Sequence, residues 1–313
     1  MTRVLVVLLQ TLLLAGIAPG VVGYIRWIKA RLQNRRGADI LQPYRHLRKL
    51  LGKGMVTPVT ASWIFHLAPP VSSAATLAAA TLVPVVMAAQ PADALGDLFL
   101  LTALLMLGTS MLAMAGLDTG SAFGGMGSSR EMTMAALTEP TLAIAVLALA
   151  LTTGSTSLGG IAQGLLRNPG SAFGPGHVLA FTAFLIALLA EAGRLPVDNP
   201  ATHLELTMIH EAMTLEYSGP YLALLEWTGA LKLTLLITLA ANLFFPWGLA
   251  ARALVPALFL GLVAIGVKLL ALATVLAVLE TRVAKLRLFR VPELLAVSFT
   301  LSLLAATSSF FTR

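Results

Sequence analysis

Apolar residues fall in eight long runs, near 4–25, 67–90, 98–117, 132–153, 173–192, 219–245, 253–280 and 293–311, divided by stretches where charge, glycine and proline collect. A helix rising about 1.5 Å per residue crosses a hydrocarbon layer of roughly 30 Å within each run. Helices are required because lipid offers no partner for backbone N–H and C=O groups, which an open strand would leave bare. The pattern predicts an all-α polytopic membrane protein with eight transmembrane helices, folded as a single membrane domain over 1–313. The fourth run starts weakly, since Glu139–Pro140 interrupts it. The sixth and seventh are parted only by the tight Pro246–Trp247–Gly248 turn. Four connections fall on one face: a first cytoplasmic loop at 26–65, a second at 118–131, an acidic third at 192–218 and a fourth at 281–292.

The first loop contains LQPYRHLRKLLGKG, where Leu47, Leu50 and Leu51 recur at helical intervals beside Arg45, Arg48 and Lys49. That spacing predicts an amphipathic cytoplasmic segment resting on the membrane or on a partner. Arg35, Arg36, Arg45 and Arg48, with Arg130 and Glu131 of the second loop, are the candidate docking residues. The plainer reading of the same cations is topology alone. Eight spans place fifteen Lys and Arg on the loop face and only Arg3, Arg167, Arg252 and Arg313 near the other. By the positive-inside rule both termini are expected on the non-cytoplasmic side.

Composition narrows the class further. Of 313 residues, 58% are hydrophobic and 11% charged, too little polar surface to cover eight apolar helices in water. Cysteine is absent, which excludes disulfides and any iron–sulfur or cytochrome-c-type centre held by this chain's own thiolates. The net charge of +7 is a topology signal and not a nucleic-acid footprint. Met1–Val22 has some leader-peptide character, but no small-residue cleavage region comes after it, so it is read as a retained first span.

Ionisable groups inside or beside the spans carry the candidate chemistry, because a lone charge at membrane depth costs several kcal/mol. Glu139, Glu226, Lys232 and Lys268, with Glu280 close to the cytoplasmic end of the seventh run, must pair, face the bundle interior or change protonation state. Pro140 can open a helical turn and give Glu139 a polar niche. The cassette EAGRLPVDNPATHLELTMIHEAMTLE, residues 191–216, gathers acids, two histidines and an arginine between two apolar runs. Pro196 and Pro200 break the preceding helix, and Thr202 with Glu205 has capping-box spacing for a short helix with Leu206, Ile209 and Met213 as its apolar stripe. Glu191, Arg194, Asp198, Glu205, His210 and Glu211 are candidates for docking or for proton handling, since acids beside a histidine exchange protons near neutrality. No metal site is expected: His210–Glu211 lacks the second histidine of HExxH. The glycine-rich stretches GLDTGSAFGGMGSSRE and TTGSTSLGGIAQGLLRNPG read as a flexible connection and a compact loop, not phosphate cradles.

RLQNRRG followed by LQPYRHLRKLLGKG, then GMGSSREMTMAALTEP and above all EAGRLPVDNPATHLELTMIHE, resemble the three cytoplasmic-loop motifs of one family. It is the membrane anchor subunit shared by respiratory complex I and the membrane-bound nickel–iron hydrogenases that include formate hydrogenlyase. The Thr202–His203–Leu204–Glu205 continuation is closer to the hydrogenase branch; Lys53–Gly54 departs from the lysine–acid pair common at the end of the first loop. The resemblance implies an eight-span subunit of a prokaryotic cytoplasmic membrane. It would dock a hydrophilic redox arm and link it to proton or sodium translocation. Glu139, Glu191, Arg194, Asp198, Glu205, His210 and Glu211 would lie on the polar path, with Arg130 and Glu131 at the second loop.

The implied partners are a nickel–iron large subunit, an iron–sulfur small subunit, a ferredoxin-like subunit and antiporter-like membrane subunits, alongside membrane lipid. The metal centres belong to those partners, no cofactor being expected on this chain. Two other readings stay open: a quinone-binding membrane subunit of a complex I-like dehydrogenase, marked by an apolar tunnel beside the first helix, and a stand-alone ion transporter.

Overall fold

The computed structural model describes residues 2–88, 96–170, 174–198, 208–250 and 255–311. Among them run the helices α1 (Thr2–Leu32), α2 (Gln42–Leu51), α3 (Trp63–Leu82), α4 (Leu98–Asp118), α5 (Ala122–Thr153), α6 (Leu158–Arg167), α7 (Pro175–Glu191), α8 (Gly219–Leu239), α9 (Val255–Arg282) and α10 (Val291–Phe311). The protein is an all-α, multi-pass membrane protein. Six helices are long and apolar enough to cross a bilayer: α1, α4, α5, α8 with its continuation, α9 and α10. The second and fifth apolar runs form α3, interrupted by Pro69 and Pro70, and the 17-residue α7.

Packing follows the apolar faces. α5 lies against α4, α7 and α10, while α1 lies against α3, α8 and α9, and α3 and α4 join the two groups. The main core runs through Leu14, Leu101, Leu149, Phe184, Leu235 and Phe244, all buried. An interior proline strips one intrahelical bond, and at Pro19 and Pro69 a side chain from another element repairs the loss. Pro19 in α1 leaves the Ala15 carbonyl free, and Trp227 Nε1 of α8 donates to it at 3.1 Å. Pro69 in α3 frees the carbonyl of Phe65, which accepts from the Tyr217 hydroxyl at 2.8 Å. Tyr44 of α2 enters the same opened turn of α1, donating to the Gly16 carbonyl at 2.6 Å and accepting from Gly20 N at 3.2 Å. The amphipathic helix is thereby pinned to the first span.

Three local expectations change. The stretch 118–131 is helical from Ala122 onward, capped by Ser121, whose hydroxyl accepts from Gly124 N. Its glycines serve close approach instead of flexibility: a Cβ on Gly124 would lie 2.4 Å from the Gly116 carbonyl, and one on Gly127 would lie 2.7 Å from Ala212 Cβ. The second glycine-rich stretch likewise contains α6, capped by Ser157. Glu139–Pro140 lies inside a continuous α5 and does not delay its start. Of the short helix expected after Thr202, the residues 199–207 lie outside the described set. Beyond them the chain makes a single 3-10 turn, Glu211–Thr214, with Ile209 and Met213 buried as its apolar side.

α8 ends in a π-helical turn, Ala240–Phe244, whose loosened carbonyls are again met from elsewhere. His177 of α7 bonds the Phe244 carbonyl through Nε2 at 3.0 Å, and Lys268 of α9 donates to the Phe245 carbonyl at 2.6 Å and to Asn242 Oδ1 at 3.0 Å. Asn242 in turn donates to the carbonyls of Pro84 and Val85. Lys268 therefore closes a broken helix end at the opposite end of α8 from the cassette.

Candidate functional site

The cassette begins where α7 stops. Gly193 takes a left-handed conformation (φ 57°), which a side chain would resist, and Arg194 N turns back to the Leu189 carbonyl. Glu191, the last helical residue, is thus left facing the bundle interior, 4% exposed. Its carboxylate lies 2.6 Å from Nζ of Lys232, midway along α8 and 8% exposed, whose ammonium also donates to Thr109 Oγ1 of α4 at 3.0 Å. Glu131 of α5 stands nearby, 3.6 Å from His210 Nδ1. Glu139 is half-buried eight residues further along α5, about 12 Å by helical rise, and shares the electrostatic field of Glu191, Glu131 and Lys232.

A second set of pairs fixes the cassette from outside. Asp198 accepts from Lys285 Nζ at 2.8 Å and from the backbone N–H of Ile209 and His210 at 3.2 and 3.3 Å. It therefore clips the far end of the cassette to its start. Arg194 NH1 lies 3.4 Å from Glu280 Oε1 of α9, whose Oε2 is 2.6 Å from Lys29 Nζ at the end of α1. Arg130 donates to the Met208 carbonyl at 3.0 Å, and Leu286 N to that of Pro196 at 3.0 Å. Burial by itself would lower the pKa of His210, but the facing Glu131 carboxylate more than offsets this and holds it above the ordinary histidine value. Burial also lowers that of Arg194, partly countered by Glu280.

A cavity of about 440 Å³ opens beside these pairs. Its polar lining includes Glu191, Arg194, Asp198, His210, Glu211 and Lys232; its apolar lining includes Pro19 and Val22 of α1, Leu47 of α2, and Leu222, Leu225 and Leu233 of α8. At the α2–α8 edge, His46 Nε2 and Glu226 Oε1 are 3.1 Å apart.

Among the sequence-derived candidates, Glu191, Lys232, Glu131, His210, Asp198 and Arg194 gather in one region, with Glu139 at its margin and Glu211 on the cavity wall. Glu226 and Lys268 go elsewhere: Glu226 meets α2, and Lys268 the π turn. Glu205 lies outside the described residues. The docking candidates Arg35, Arg36, Arg45 and Arg48 are exposed, Arg45 pairing with Asp39 at 3.1 Å, whereas Arg130 is turned inward to the cassette backbone. Four participants are not marked as site residues by the sequence: Lys29, Thr109, Glu280 and Lys285. The two lysines read there only as topology signals. Glu280 stands apart, because its place at the end of a span already requires it to pair, and it pairs with Lys29 and Arg194.

Known proteins resemble this chain over most of its length. The chain is 37% identical to formate hydrogenlyase subunit 4 of Escherichia coli K12 over 97% of its own length and 98% of the relative's. It is 34% identical to hydrogenase-4 component C of the same organism over 96% and 94%. An NADH-quinone oxidoreductase subunit of Syntrophotalea carbinolica is 31% identical over 62% of each chain. Among solved structures, a chain of the membrane-bound sulfane sulfur reductase, an archaeal respiratory membrane complex, superposes with a TM-score of 0.84 at 21% identity, covering 99% of this chain and 100% of that one, and so shares the fold. With the NADH dehydrogenase family profile matching residues 4–310, the chain belongs to that family.

Proposed function

We propose that this chain is the membrane-anchoring and energy-coupling subunit of a multisubunit nickel–iron hydrogenase complex. It crosses the membrane eight times, with α3 and α7 as the two further spans, and both termini lie on the non-cytoplasmic side. Near-complete coverage of the two hydrogenase relatives supports this branch over the quinone-reducing one. The cassette face docks a hydrophilic arm of nickel–iron large, iron–sulfur small and ferredoxin-like subunits, through exposed Arg35, Arg36, Arg45 and Arg48. Antiporter-like subunits adjoin it in the membrane. Redox centres sit on the partners, because this chain has no cysteine to ligate them.

The observation that carries the reading is the buried Glu191–Lys232 pair, joined on one side to the docking cassette and on the other to the bundle. A proton reaching the Glu191 carboxylate neutralises it and leaves the Lys232 ammonium without its counterion. The ammonium is then drawn toward Glu131 and Glu139, the other acids in its field. An event at the docked arm that moves Arg194, Asp198 or His210 thereby changes charge within the membrane. Intact-complex mass spectrometry after mild solubilisation tests the assignment: a nickel–iron large subunit should co-purify stoichiometrically, and isolation of this chain alone, with ion flux, would refute it in favour of a stand-alone transporter.

The cavity beside α1 favours a second reading, quinone binding. Its lining, however, includes Glu191, Arg194, Asp198 and Lys232, charged groups that a continuous apolar tunnel for a hydrophobic ring and tail would lack. Displacement of a spin-labelled or radiolabelled quinone from the purified complex separates the two.

A further inference from the structure

Two features of the cavity edge are left unused by that account: the His46–Glu226 pair, and the firm seating of the helix that brings His46 there. His46 lies on α2 and Glu226 on α8, 180 residues apart in sequence, yet Nε2 and Oε1 are 3.1 Å apart. Both side chains remain nearly half exposed, at 46% and 42%. An exposed pair of this kind contributes about 0–1 kcal/mol, so it is not what holds α2 in place. That work falls to Tyr44, locked into the opened turn of α1, and to buried Leu50. The pair is thus free to serve another purpose, while its position is fixed by stronger contacts.

The position is informative. His46 and Glu226 line the same cavity as Glu191 and Lys232. Glu226 and Lys232 are six residues apart on α8, about 9 Å along the axis. No direct hydrogen bond spans that distance, but two or three waters do, and a space of about 440 Å³ greatly exceeds the roughly 30 Å³ each occupies in liquid water. Arg26 of α1 and Glu211 of the cassette also line this cavity.

We propose that His46 and Glu226 form the cytoplasmic proton-uptake site of this subunit, feeding the buried Glu191 through a hydrated side cavity. This rests on the coupling reading above and adds the entry point that reading lacks. The step balances as a simple relay. The imidazole takes a proton from bulk water; Glu226 accepts it and passes it to cavity water. The proton arrives on the Glu191 carboxylate, and both mouth groups return to their starting state. With two ring nitrogens, an imidazole takes a proton on one side and releases it from the other, which suits a group between cytoplasmic water and Glu226.

The test uses the complete complex in everted vesicles, which present the cytoplasmic face outward. Hydrogen-driven acidification of the interior is followed by a fluorescent amine, and dye-linked hydrogen oxidation on the partner subunits reports assembly. His46→Ala and Glu226→Gln should each slow acidification per hydrogen consumed at least fivefold, and the double variant should be no slower than the worse single. Millimolar imidazole should restore His46→Ala but not Glu226→Gln, a rescue that a merely structural role would not give. Acidification per hydrogen within twofold of wild type in both variants would overturn the proposal. So would a parallel loss of dye-linked activity that imidazole leaves unrepaired. A wild-type complex that oxidises hydrogen without acidifying the vesicles would instead remove the coupling function itself.

Discussion

Replacing Glu280 by glutamine removes the anion between two cations and should release the cassette from the bundle. The carboxylate is 4% exposed and meets Lys29 at 2.6 Å and Arg194 at 3.4 Å, so the neutral amide strands two charges where one acid had held both. Breaking a buried pair by deleting one partner costs about 3–5 kcal/mol. Lys29 keeps 20% of its side chain exposed and can recover part of its hydration, which places the expected loss near the lower end, about 3 kcal/mol. The loss should appear first in the turn that Arg194 organises, where the amides of Val197 and Asp198 donate to the Arg194 carbonyl. Hydrogen–deuterium exchange of those amides should quicken by about a hundredfold if the turn opens with the released energy, since 1.4 kcal/mol is a factor of ten. The second substitution Lys29→Met, made on Glu280→Gln, removes one stranded cation and should recover part of the protection. Unchanged exchange in Glu280→Gln, with a thermal midpoint equal to wild type, would refute the argument.

His210 gives a pH dependence with a definite sign. Its pKa is raised in the folded protein, so the Glu131 contact contributes fully below the ordinary value of 6.5 and is lost as pH climbs through the raised one. Protection of the 208–214 backbone should therefore fall on the alkaline side in wild type, and the His210→Gln profile should be flat there; identical profiles would dismiss the pair. Gly127→Ala puts a methyl 2.7 Å from Ala212 Cβ and 3.0 Å from the Ile209 carbonyl, which should cost about 1–3 kcal/mol in thermal stability. Gly125→Ala meets nothing nearer than Leu117 at 4.0 Å and should be neutral or stabilising by up to about 1 kcal/mol. Equal effects at the two glycines would contradict the close-approach explanation.

Much of this architecture was readable from hydrophobic periodicity, because a bilayer forces apolar runs into helices of spanning length. The amphipathic α2 was legible for the same reason: Leu47 and Leu50 mark one side among cations. The cassette was visible as charge where charge is expensive. The partners within it were not. Glu191 and Arg194 are three residues apart and look like a local pair, yet Glu191 turns to Lys232 and Arg194 to Glu280 once Gly193 ends the helix. Those pairings depend on which helices pack together, information that spacing along one helix does not hold. Glycines misled for a related reason. GGMG and SLGGIAQG have loop-like composition, but they sit inside helices, where Gly124 and Gly127 let other backbone approach and Gly160 and Gly164 leave room for Ser155 and Thr153. Nor does composition show that Trp227, Tyr217 and Tyr44 meet the carbonyls freed at Pro19 and Pro69, so that α1 and α3 continue through their prolines.

We propose that hydrogen chemistry on a partner is coupled to ion movement through the buried Glu191–Lys232 pair. Everted vesicles carrying Glu191→Gln, Glu139→Gln and the exposed control Lys49→Ala measure it directly, as protons translocated per hydrogen oxidised. The ratio should fall at least fivefold for Glu191→Gln, less but clearly for Glu139→Gln and not at all for Lys49→Ala, with dye-linked hydrogen oxidation retained in all three. An unchanged ratio in both acidic variants, in complexes that assemble and turn over normally, would contradict it.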